Sequence, residues 1–140
     1  DHKTRLVNAF LRRALRSEPL VIHGGGQVFD FTHIDDTVTA ISNAAEELHS
    51  QRRHLPPMHV LPGDPVSIEN LANLVLEITD SESKVIYTEG RDYDVEQFHG
   101  DPSRLRELLG HECKIDIRTG LERSVALLQE HLATEDGESE

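Results

Sequence analysis

Apolar residues recur at helical spacing from the start of the chain. Leu6, Ala9, Phe10, Arg13 and Ala14 form an i, i+3, i+4, i+7, i+8 stripe that is mostly apolar, which predicts an amphipathic helix over residues 3–16. Ser17-Glu18-Pro19 ends it, because proline holds the residue before it away from helical geometry. Leu20-Val21-Ile22-His23 then reads as a short strand, Gly24-Gly25-Gly26 as a turn, and Val28 to His33 as a second strand with one aromatic face on the core. A helix follows to about Leu48, with Asp35 or Asp36 as its cap and Val38, Ile41, Ala44, Ala45 and Leu48 on its buried side.

Residues 50–57 read as a loop, and Met58 to Leu61 as a short strand ended by the turn Pro62-Gly63-Asp64-Pro65. Ser67 is placed to cap a helix whose apolar face is Leu71, Leu74, Val75 and Ile78. Lys84 to Thr88 is a strand, and residues 89–101 are irregular. Pro102 opens a helix through Leu105, Leu108 and Leu109 that Gly110 ends, and a last helix over about 119–132 buries Leu121, Val125, Leu128 and Leu132. Residues 133–140 are acidic and polar and are expected to be a disordered tail. Short strands alternating with helices predict an α/β class. Four short strands are little sheet for so many amphipathic helices, so something outside the sequence is expected to cover the remaining apolar faces.

Composition narrows the function classes. The chain has 140 residues, one domain by size, and its net charge of −12 comes from 14 basic and 26 acidic residues. That balance argues against nucleic-acid binding, which needs clustered lysine and arginine to neutralise phosphates. Its apolar runs are a handful of residues, whereas a membrane span needs about 20. Cys113 is the single cysteine, which excludes an internal disulfide and fits a reducing, cytoplasmic setting. The nine histidines show no metal-ligand spacing with acidic partners, and Cys113 lacks thiol companions, so no metal site is expected. The three glycines at 24–26 stand between two strand-like segments instead of opening a helix, which favours a tight turn over a dinucleotide cradle.

Three stretches carry more information together than apart. They are Thr4-Arg5-Leu6-Val7 through Pro19-Leu20-Val21-Ile22-His23-Gly24; Gln27-Val28-Phe29-Asp30-Phe31-Thr32-His33-Ile34-Asp35-Asp36; and Arg91-Asp92-Tyr93-Asp94-Val95, followed by Asp101-Pro102-Ser103-Arg104-Leu105-Arg106-Glu107-Leu108-Leu109-Gly110. In this order, over residues 1 to about 132, they resemble the C-terminal, substrate-binding part of the NAD-dependent epimerase/dehydratase family. These are extended short-chain dehydrogenases such as UDP-glucose 4-epimerase.

The resemblance implies a division of labour. A Rossmann half, on the same or a partner polypeptide, would hold NAD and supply a Ser/Thr and a Tyr-x-x-x-Lys pair. That half is absent from this sequence. Tyr87 is followed four residues on by Arg91 and Tyr93 by Gln97, and the three lysines, Lys3, Lys84 and Lys114, complete no such pair. The chain alone is therefore expected to bind no cofactor and to be inactive. It starts at Asp1 in a helical pattern, and its one methionine is Met58, which suggests a piece of a longer polypeptide.

The family's substrate contacts map onto particular positions. Arg91 matches an arginine that pairs with the diphosphate of a nucleotide sugar, of the UDP type, and a guanidinium suits phosphate oxygens on chemical grounds alone. Asp94 matches an acid that orients the ribose or the neighbouring loop. His23 stands where the family has an aromatic near the base, and Phe31 matches the aromatic of the Arg-Asp-aromatic motif. Arg5 lies near the substrate-contacting segment. One departure stands out: a second diphosphate arginine of many relatives is replaced by Phe29. A non-catalytic module of the same descent, or a reductase or dehydrogenase with a ligand lacking a diphosphate, are the alternatives this leaves open.

Overall fold

The computed structural model describes residues 5–51, 54–90 and 95–137. In chain order its elements are α1 (Leu6–Leu15), β1 (Leu20–His23), β2 (Val28–Phe29), α2 (Ile34–Gln51), β3 (Val66–Ser67), α3 (Ile68–Ile78), β4 (Val85–Thr88), α4 (Ser103–Leu109) and α5 (Ile117–Gly137). The chain divides into two compact units: Asp1–Gln27 with Ser67–Val95 and Arg118–Glu140, and Val28–Val66 with Glu96–Ile117.

In the first unit β1 and β4 pair in parallel, from Leu20 opposite Val85 to His23 opposite Thr88. Side chains alternate along β1, so Leu20 and Ile22 are buried while Val21 and His23 are half-buried. Helices α1 and α3 pack on each other and on β1, bringing Phe10, Leu11 and Ala14 together with Leu71, Ala72 and Val75 in the core. Each large apolar side chain buried here contributes about 1.5–3 kcal/mol. Helix α5 buries Leu121, Val125 and Leu128, and Arg118 reaches Glu77 of α3 at 2.8 Å. Its backbone helix runs beyond the bounds expected from sequence at both ends, to Gly137.

Both helices on β1 stop in the same way. After α1, Ser17 adopts a left-handed conformation and the Glu18 amide donates to the Arg13 carbonyl at 2.8 Å; after α3, Asp80 does the same and the Ser81 amide donates to Leu76 at 3.0 Å. The Ser81 hydroxyl donates to the Ala14 carbonyl at 2.9 Å, joining the two helix ends. At the opposite end of α3, Ser67 accepts from the Asn70 amide at 3.1 Å, the cap expected from sequence.

The second unit departs more from the sequence pattern. The strand expected over Val28 to His33 is only two residues long, and β2 pairs with β3. Beyond Phe29 the side chains take over. Asp30 Oδ2 accepts from the Gly63 amide at 2.9 Å, and the Thr32 hydroxyl donates to the Val60 carbonyl at 3.1 Å. The same exchange removes the strand expected at Met58 to Leu61: Val60 spends its carbonyl on Thr32, and His59 Nδ1 accepts from the Asp101 amide at 3.1 Å. Leu61 is nonetheless buried. Gly100 packs so tightly here that a Cβ would lie 2.2 Å from Leu61 Cδ2.

Helix α2 starts at Ile34, earlier than expected, and neither Asp35 nor Asp36 caps it. His33 does, its Nδ1 accepting from the Asp35 amide at 3.2 Å. Asp36 lies in the first turn, where a carboxylate suits the helix dipole. It is buried and accepts from the Lys114 and Ile115 amides at 3.1 and 3.0 Å. Helix α2 packs against α4 through the face holding buried Ala40. Its more apolar stripe faces solvent: Ile34, Val38, Ile41 and Leu48 are 64%, 53%, 63% and 47% exposed. Helix α4 follows Pro102 and ends at Gly110, left-handed at φ 59°, as its glycine predicts.

Two stability outcomes follow from these contacts. Ser67→Ala should cost about 1 kcal/mol, read as a lower urea midpoint, because it strips the α3 cap. Asp30 behaves differently. Burial raises its carboxyl above the ordinary value of 3.8, outweighing the lowering pull of the Gly63 and Asp64 amides. The folded chain thus keeps a proton at pH values where the unfolded chain has lost it, and the Asp30 contribution to stability falls as pH rises through that window. Denaturation midpoints followed from about pH 3.5 to 6 should show this fall in the wild type and a shallower one in Asp30→Asn.

Candidate functional site

Parallel pairing brings the C-terminal ends of β1 and β4 to the same place. In open α/β sheets ligands bind at such ends, beyond the last strand residues. His23 closes β1 and Thr88 closes β4, and the Thr88 hydroxyl lies 2.7 Å from His23 Nδ1 and 3.4 Å from the Ile22 carbonyl. Both contacts are satisfied together when Nδ1–H donates to the hydroxyl and the hydroxyl donates to the carbonyl. This fixes the plane of the imidazole at the rim.

A glycine turn forms the floor. Gly24 and Gly25 have φ of 79° and 141°, a region that side chains rarely occupy. The Gly24 amide donates to the Thr88 carbonyl at 3.0 Å and carries the ladder one step further. Gln27, buried, fills the turn from inside: its Nε2 donates to the His23 carbonyl at 2.7 Å, and its Oε1 accepts from the Gly25 amide at 3.0 Å. Its own carbonyl accepts from the Ile68 amide at 3.0 Å, tying the turn to the start of α3. A Cβ on Gly24 would lie 2.8 Å from Gln27 Nε2, and one on Gly90 would meet Gly24 Cα at 3.5 Å. Tyr87 flanks Gly25 and donates to Glu69 at 2.8 Å; that bond raises the phenol above its ordinary 10.0.

Sequence reading placed His23 here but passed over Gln27, Thr88 and the packing role of Tyr87. A glutamine directly after three glycines was the one available signal, since a buried amide can satisfy backbone groups that such a turn leaves open. Of the remaining predicted residues, two are described, one in each unit. Arg5 is exposed at the start of α1 and makes no side-chain cap. Phe31 belongs to the second unit, half-buried, with its ring edge-on to Phe29 at 6.3 Å between centroids. Phe29 is thus a packing residue. Arg91 and Asp94 lie outside the described residues.

The turn runs from strand to strand with the Gln27 side chain inside it, so it is no fit for a dinucleotide pyrophosphate, which needs open glycine backbone at a helix start. Among the described residues no group of three or more His, Cys, Asp or Glu side chains is placed to hold a metal, and no helix is long and apolar enough to cross a membrane. Burial, then the charges of Asp36 and Asp30, push the Cys113 thiol up from its ordinary 9.0, away from thiolate chemistry.

Residues 1–55 match the NAD dependent epimerase/dehydratase family. UDP-glucuronic acid decarboxylase 4 of Arabidopsis thaliana is 32% identical over 119 residues, which are 84% of this chain and 26% of that protein. The chain thus spans 25% to 37% of the length of the curated relatives it matches. The UDP-glucose 4-epimerase of Thermotoga maritima, solved with UDP-glucose, superposes with a TM-score of 0.82 at 27% identity, over 93% of this chain and 41% of that one. MoeE5, solved with UDP-glucose and NAD, gives a TM-score of 0.83 at 26% identity, over 91% of this chain and 42% of that one. By sequence and by its mixed α/β fold, the chain is homologous to the NAD-dependent epimerase/dehydratase family.

Proposed function

We propose that this chain is the C-terminal, substrate-binding portion of an NAD-dependent nucleotide-sugar enzyme, over residues 1–132, and that its ligand is a UDP-sugar. The carrying observation is the shared C-terminal end of β1 and β4, where His23 and Thr88 stand over a glycine turn. In sequence, Gly90 passes directly to Arg91 and, three residues on, Asp94. Arg91 pairs with the diphosphate, Asp94 orients the ribose or its loop, and His23 lies toward the base; Arg5 and Phe31 are further candidate substrate contacts. The solved relatives bound to UDP-glucose support a UDP-sugar as the ligand.

The parent protein works on the sugar by transient hydride transfer through NAD held in a Rossmann half, on the same or a partner polypeptide. Proton abstraction needs a positioned acid/base group and oxidation needs a hydride acceptor, so this portion alone is inactive. Its task is substrate selectivity and closure. The exposed stripe of Ile34, Val38, Ile41 and Leu48 on α2 supports a packing surface for that half, since apolar faces of this kind mark contacts. A reducing, cytoplasmic setting suits the single thiol of Cys113.

A second reading takes a ligand without a diphosphate. Phe29 favours it, because a packed aromatic stands where many relatives have a second phosphate-binding arginine.

Calorimetric titration with UDP-glucose separates the two readings. The wild type should release heat on binding, and Arg91→Ala should bind about 1.5–3 kcal/mol more weakly, the worth of one charged hydrogen bond. Silence from both proteins would favour the second reading. The docking face has its own readout: the Val38→Lys, Ile41→Glu double variant should bind far less anilinonaphthalene sulfonate than the wild type at unchanged helical circular dichroism.

A further inference from the structure

Three glycines in a row give a turn with no conformational preference of its own. Glycine takes positive and negative φ about equally readily, so the peptide planes around Gly24 and Gly25 can face either way. In the folded chain these residues hold φ of 79° and 141°, and one side chain accounts for the choice. Gln27 Nε2 donates to the His23 carbonyl at 2.7 Å, and its Oε1 accepts from the Gly25 amide at 3.0 Å. A carbonyl needs a donor and an amide needs an acceptor, so the side chain fits one way round only. Burying Gln27, which is 7% exposed, costs side-chain entropy and the hydration of two polar groups. An apolar side chain would fill the space without those costs. It would also leave the His23 carbonyl and the Gly25 amide free to turn.

On the UDP-sugar reading above, we infer that Gln27 is a positioning residue for nucleotide-sugar binding. It acts from beneath the turn, selecting the backbone conformation that presents His23 and seats the chain leaving β4. Two contacts carry the effect outward. The His23 carbonyl is one end of the clamp, while the His23 ring is held by the Thr88 hydroxyl at 2.7 Å. A flip of the peptide after His23 would therefore pull on the anchored ring. Gly24 carries the second effect: its amide donates to the Thr88 carbonyl at 3.0 Å, and a Cβ on Gly90 would meet its Cα at 3.5 Å. Arg91 is the next residue in the sequence, so the seat of Gly90 sets where the diphosphate arginine begins.

The size of the effect follows from populations. A ligand that binds one turn conformation loses affinity in proportion to the fraction of molecules holding it. Where several glycine conformers of comparable energy compete, that fraction falls to about a tenth.

The test is calorimetric titration with UDP-glucose of the wild type, Gln27→Ala and Gln27→Glu at about pH 8 and about pH 5.5, with urea midpoints and circular dichroism alongside. Gln27→Ala should bind about tenfold more weakly. Glutamate is the discriminating variant. Ionised, it has no proton for the His23 carbonyl; protonated, it donates from one oxygen and accepts at the other, restoring both bonds. Burial raises a carboxyl pKa, which brings that protonation into this range. Its affinity relative to the wild type should be about tenfold down at the higher pH and recover at the lower. The titratable groups facing the turn, His23 of β1, Tyr87 of β4 beside Gly25 and Glu69 of α3 bonded to Tyr87, are common to both proteins and cancel in that ratio. A merely structural glutamine would lower the urea midpoint and leave the affinity of the folded chain unmoved. If circular dichroism shows Gln27→Ala unfolded, the pH series of Gln27→Glu carries the test. Equal binding by the wild type and Gln27→Ala, or a Gln27→Glu ratio flat across pH, overturns this inference alone. Silence from the wild type overturns the UDP-sugar reading and this inference with it.

Discussion

The parallel ladder between residues 20–23 and 85–88 is the contact on which the first unit depends. Strands so far apart in sequence pair only against the entropy of closing the intervening chain, and a parallel pair cannot be joined by a tight hairpin. The return comes from Leu20 and Ile22, which β1 presents to α1 and α3. The direction of pairing matters as much as its existence. Run antiparallel, β4 would carry Thr88 to the far end of the ladder, and the contact between His23 and Thr88 would be lost. The same chain direction brings Gly90 onto Gly24, so one pairing event sets both the hydrophobic core and the polar rim.

The second unit solves its backbone accounting by other means. Here Asp30, Thr32, Asp36 and His59 side chains satisfy main-chain groups of distant loops. Such bonds fix position without a ladder, which is why the sheet is so small. They also place carboxylates in poor solvent, and the raised Asp30 is the electrostatic consequence. Asp36 shows the favourable counterpart: two amide donors and a helix start surround it.

Much of the helical structure was legible in the residues themselves. The stripe at Phe10 and Ala14, the Ser67 cap, the proline before α4 and the glycine after it are local devices, and each acts through neighbours within a turn or two of chain. The strand Leu20 to His23 and its place before a glycine turn were legible for the same reason, as was the ordered set of motifs that ties the chain to its family.

Partners of those elements were not legible. Periodicity says which side chains seek cover but not what covers them, so Val38, Ile41 and Leu48 read as core and stand in solvent. Alternation marks a stretch as extended but cannot tell whether its carbonyls meet a strand or a side chain, and so Met58 to Leu61 read as a strand. Gln27 and Asp36 look like ordinary surface polar residues until the chain has closed around them. The start of α3, the ends of α1 and α4 and the glycine turn were set by the sequence alone, because their physics is local. The pairing of β1 with β4 and the burial of Gln27 and Asp36 were decided only in three dimensions, where groups remote in sequence compete for the same hydrogen bonds and the same shelter from water.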